Sequence, residues 1–85
     1  MNHTELIATW VRQYRIAQKT TYRTPTDLVR EKTKSQIATE IDRARVLGEA
    51  LKAFYGKHPL DFVTRDEIVQ QTESKTVSQI LEKVL

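Results

Sequence analysis

The stretch IATEIDRARVLGEALKAFYG, residues 37–56, decides the fold. Ile37, Ile41, Ala44, Gly48, Leu51 and Tyr55 recur at alternating intervals of four and three, which places them on one face of an α-helix, and Leu47, Ala50 and Phe54 widen that stripe. Small residues along it, Ala44, Gly48 and Ala50, let a neighbouring backbone come close. Gly56 supplies a left-handed C-terminal residue and Pro59 prevents the helix from resuming, so the segment stops at or near Tyr55.

Moving toward the N-terminus, residues 30–36 contain no apolar side chain. Thr24-Pro25-Thr26-Asp27 reads as a helix start: a threonine cap, proline at the first helical position and a carboxylate near the positive end of the dipole. A helix is expected from Pro25. It either runs on as a solvated helix or breaks at Thr33, which with Gln36 can cap a fresh one.

The first 23 residues carry the clearest amphipathic pattern. Between residues 5 and 23, Leu6, Ile7, Trp10, Val11, Tyr14 and Ala17 fall on one arc, and Arg12, Arg15, Lys19 and Arg23 fall almost opposite. Ile16 lies outside the apolar arc. Asn2 with Glu5 forms a capping box at the start, and Thr20-Thr21-Tyr22, β-branched and aromatic before a proline, should fray the end.

Toward the C-terminus, Thr64 and Glu67 form another capping box, with Val63 and Ile68 as a hydrophobic staple, and predict a short helix over 65–72. Thr76 and Gln79 repeat the box and start a last helix over 77–85, whose apolar side is Val77, Ile80, Leu81, Val84 and Leu85. The expected fold is all-α: a single domain over residues 1–85, a small bundle of about four helices around the long central one. The last two helices resemble a helix-turn-helix at motif level only. They lack a turn glycine, and Lys75, Gln79 and Lys83 stand beside Glu73 and Glu82.

The chain has 85 residues and no cysteine, which excludes disulfides, thiolate nucleophiles and Cys-based zinc sites. His3 lies near the terminus, and His58, three residues before Asp61, reads as a charge at a helix end rather than a metal ligand. The two glycines are isolated, so no loop cradles a phosphate. An enzyme is not expected, nor a cofactor or metal. No run approaches the roughly 20 apolar residues of a membrane span, and no leader precedes the first helix, so the expected location is cytoplasmic.

Binding is the better class. The net charge is +3 and unevenly spread. Arg12, Arg15, Lys19, Arg23, Arg30, Lys32 and Lys34 face only Asp27 and Glu31 between Leu6 and Gln36, whereas the remainder is near neutral. These seven cations are the candidate nucleic-acid-binding residues of a small accessory or regulatory protein. Trp10 and Tyr14 belong to the core arc; Tyr22, beside Arg23, is expected to be exposed. The alternative is an adaptor or inhibitor that meets an acidic protein surface with the same cations, or uses the apolar stripe of residues 37–55. That stripe and the apolar terminus Val84-Leu85 also suit a homodimer.

Overall fold

A computed structural model describes residues 2–85. Its elements in chain order are α1 (His3–Gln18), β1 (Thr21–Arg23), β2 (Val29–Glu31), α2 (Lys34–Tyr55), a 3₁₀ turn (Pro59–Asp61), α3 (Arg65–Gln70) and α4 (Glu73–Val84). The architecture is a mostly helical bundle with one two-stranded hairpin.

Helix α1 starts where its cap predicts, with Asn2 Oδ1 accepting the Glu5 amide at 2.8 Å. It runs antiparallel to α2: His3 meets Tyr55, Trp10 lies over Gly48, and the Ile16 carbonyl is joined through Lys32 to Glu40. Ile7, Trp10 and Val11 from α1, Leu51 from α2, Val63 and Ile68 around α3, and Val77 and Ile80 from α4 make one core. Burying each such side chain contributes about 1.5–3 kcal/mol, which fixes how α1, α2 and α4 stack.

The expectation of a helix from Pro25 is overturned. Thr24 through Leu28 instead form a hairpin turn: the Thr24 carbonyl accepts the Asp27 amide at 3.0 Å, and the Thr24 amide donates to the Leu28 carbonyl at 2.8 Å. Proline after threonine suits both structures, because the first helical turn and a type I turn share the same backbone angles at that position. Asp27 separates them. It adopts φ +61°, the left-handed conformation that closes a three-residue hairpin loop and cannot continue a helix. Beyond it, Val29 to Gln36 offers no stripe at helical spacing to bury. Thr21, Tyr22 and Arg23 therefore pair with Glu31, Arg30 and Val29.

The alternative of a fresh helix at Thr33 holds. Thr33 Oγ1 accepts the Gln36 amide, and Gln36 Oε1 accepts the Thr33 amide, the reciprocal pattern of a capping box. Gly56 ends α2 at φ +82°. Helix α1 is shorter than its 5–23 pattern, because Thr21 onward is strand. Helix α4 begins one turn earlier than Thr76: Thr72 Oγ1 accepts the Lys75 amide, and Thr76 is buried inside the helix with its hydroxyl donating to the Thr72 carbonyl. The earlier start shortens the link from α3 to two residues and lets Val77 and Ile80 reach the core.

Candidate nucleic-acid interface

The seven candidate cations separate into two groups. Three are engaged by the fold. Arg12 Nε lies 3.5 Å from Glu73 Oε1, an exposed pair between α1 and α4. Arg15 Nη1 donates to the carbonyls of Ile68 at 2.8 Å and Gln71 at 2.5 Å, so its charge satisfies the C-terminal end of α3, where a cation is favoured by the helix dipole. Lys32 is drawn furthest in. Its side chain is only 4% exposed, and Nζ donates to the Ile16 carbonyl at 2.7 Å and to Glu40 Oε2 at 2.5 Å, ending α1 and pinning the hairpin to α2.

The other four, Lys19, Arg23, Arg30 and Lys34, are exposed and make no ion pair among the described residues. They sit at one end of the molecule: Lys19 caps α1, Arg23 lies on β1, Arg30 on β2, and Lys34 opens α2. The hairpin register divides them further. Arg23 shares a pleat face with Val29, whereas Arg30 stands directly across from Tyr22 on the other face. Both faces of the hairpin therefore carry a cation.

A cleft of about 360 Å³ opens between the hairpin and the ends of α1 and α2, with Lys19 and Arg23 on its wall beside Ile16 and Val29. Apolar side chains remain open here too, Val29 at 63% and Leu28 at 57% exposure. Tyr22 is exposed as expected, whereas Trp10 is wholly in the core. The outward row of α1 thus does not persist as a row: Arg12 pairs with Glu73 at the surface, Arg15 turns to the end of α3, and Lys19 and Arg23 join the hairpin. Charge counting missed this because the acceptors of Arg15 are backbone carbonyls more than fifty residues away in sequence.

His58 is a cap. Its Nδ1 accepts the Leu60 amide at 3.1 Å while its own amide donates to Asp61 Oδ2 at 3.1 Å, which builds the 3₁₀ turn. No three His, Cys, Asp or Glu side chains gather to hold a metal among the described residues. No helix among the described residues is long and apolar enough to cross a membrane. The stripe of α2 is buried at Ala44, Gly48 and Leu51, but Ile41, near the N-terminal end, is 49% exposed. Comparison of the chain with protein-family models, with curated proteins and with solved structures finds no match.

Proposed function

We propose that this protein is a non-enzymatic accessory protein that binds nucleic acid, gripping the phosphate backbone with its hairpin end through Lys19, Arg23, Arg30 and Lys34. One observation carries the reading: these four exposed cations, free of ion pairs among the described residues, gather around a protruding β-ribbon. A two-stranded ribbon is narrow enough to enter the major groove of a duplex, and exposed cations on both of its faces meet phosphates on either wall. Arg12, Arg15 and Lys32 are left out of the interface because the fold already uses their charges.

Four phosphates neutralised on duplex DNA give a slope of about −3.6 for log affinity against log salt. Arg23→Glu with Arg30→Glu should abolish binding to every sequence alike, while Arg12→Ala, whose side chain is paired with Glu73 of α4, should leave it unchanged. Gel shifts and fluorescence anisotropy at low salt, with duplex and single-stranded probes, provide the test. No shift with either probe overturns the reading.

The exposed Leu28 and Val29 beside these cations favour a second reading, an adaptor that meets an acidic protein surface with an apolar centre. Capture of partners that survive nuclease treatment and are lost with Leu28→Ser supports it over the first.

A further inference from the structure

The cleft beside the hairpin has an apolar side as well as a charged one. Ile16, Tyr22 and Val29 line it, each at least 40% exposed and none of them packed into the core. Lys19 and Arg23 stand among them with no carboxylate partner among the described residues. The remaining charges of the lining, Lys32 and Glu40, are paired with each other at 2.5 Å and leave the positive surplus as it is. Exposed apolar surface beside unanswered cations suits a ligand that is apolar and flat in one part and anionic in another.

Tyr22 supplies the flat element. The hairpin register sets Arg30 directly across from it on the same pleat face, and Arg23 follows it along β1. A nucleotide whose base lies on the Tyr22 ring therefore has one cation next in sequence and another across the ribbon for its phosphates. The size agrees: a cavity of about 150 Å³ holds benzene, so a cleft of about 360 Å³ has room for a single nucleobase. Bases in a duplex are shut within their own stack, and only an unpaired one can offer its face to an aromatic side chain.

We propose that this cleft takes one unpaired base of a nucleic-acid strand, stacked on Tyr22 with its edge against Ile16 and Val29, while Lys19, Arg23 and Arg30 hold the flanking phosphates. The inference rests on the phosphate grip proposed above and adds to it. The cations grip the backbone of a duplex or of a single strand; the cleft acts only where a base is free, and it accepts any base because each has a π-face.

Fluorescence anisotropy of the full chain at low salt tests this with three labelled probes of about ten nucleotides: an oligothymidylate, a strand of abasic sites that keeps the phosphates and loses the bases, and a duplex. The oligothymidylate should bind about fivefold or more tightly than the abasic strand, the gain expected of one stacked base. Tyr22→Thr keeps a strand-forming residue and removes the ring, so it should bring the oligothymidylate down to the abasic level and leave the abasic strand unchanged; Tyr22→Phe should keep the preference. If Tyr22→Thr loosens the ribbon and weakens both strands together, Ile16→Ala, on α1, still separates them and should cost the oligothymidylate alone about twofold or more. Equal affinity for the two single strands, or a preference that survives both Tyr22→Thr and Ile16→Ala, overturns the stacking cleft and leaves the phosphate grip standing. No binding of any probe, the duplex included, overturns the grip and this inference with it.

Discussion

The two ends of the molecule use the same residue types in opposite ways. At the end built from α1, α3 and α4, apolar side chains are buried and the cations are consumed: Arg15 closes off the carbonyls at the end of α3, and Arg12 meets Glu73. At the hairpin end every strand residue is exposed, and the ribbon is tied to the bundle by Lys32 between the Ile16 carbonyl and Glu40. An isolated two-stranded ribbon is marginal in water, so this attachment decides whether the hairpin is ordered at all. Few buried contacts and free charge coincide there, so the hairpin is expected to open more readily than the bundle.

The largest expected effect separates the two ends by core burial. Ile68 is fully buried among α1, α3 and α4, so Ile68→Ala should cost about 2–5 kcal/mol of global stability. Val29→Ala, on the exposed ribbon, should change stability by no more than about 0.5 kcal/mol. Urea unfolding monitored by helical circular dichroism measures both. Comparable losses from the two substitutions would mean that the hairpin is part of the core, and the contrast would fail.

Next comes the attachment itself. Glu40→Ala leaves the Lys32 ammonium in a nearly closed site with a single carbonyl, and should cost about 2–3 kcal/mol, below the full figure for a buried pair because Glu40 is 20% exposed. The loss should appear as faster amide exchange at Tyr22 and Arg30, with the exchange of Leu51 changing less. A uniform acceleration across the chain would show that the pair supports the whole bundle. Nucleic-acid affinity should fall with it if the ribbon must be ordered to bind.

Arg15 and Arg12 lie one helical turn apart and give a sharper contrast within α1. Arg15→Met removes two charge-assisted hydrogen bonds and orphans the end of α3, for an expected loss of about 1.5–3 kcal/mol, whereas Arg12→Met breaks only an exposed ion pair, for at most about 1 kcal/mol. Added salt should shrink the Arg12 effect and spare most of the Arg15 effect. Equal effects would place Arg15 among the solvated cations.

The difference between the ends also explains what could be read from the sequence. The bundle was legible because its determinants are local or periodic: the stripe of α2, the Thr33–Gln36 box, Gly56, and the arc from Ile7 to Ala17. The hairpin was not, because Thr24-Pro25-Thr26-Asp27 satisfies two structures equally well for its first residues. The deciding features are the left-handed Asp27 and the pairing of Thr21 with Glu31 across the turn, and neither has a helical period. At the candidate interface the excess of charge was visible but its engagement was not. Arg15 and Lys32 look like Lys19 and Arg30 in a composition, and only the fold brings carbonyls and Glu40 to two of them.

Asp27 provides the smallest test. At φ +61° a residue with a Cβ is strained, by about 1 kcal/mol, although aspartate bears this better than most. Glycine removes the strain, so Asp27→Gly should make the hairpin harder to open by about 0.5–1 kcal/mol, and Asp27→Val should do the opposite. Neither should move the global unfolding midpoint by much, because the turn buries nothing. The readout is amide exchange at Leu28, whose amide faces Thr24 Oγ1 at 3.2 Å. Asp27→Gly also removes one of the two acids among the cations of residues 19–34, and should therefore strengthen nucleic-acid binding at low salt. A tighter hairpin with unchanged or weaker binding would divorce ribbon order from function and return the cationic end to a solvated face.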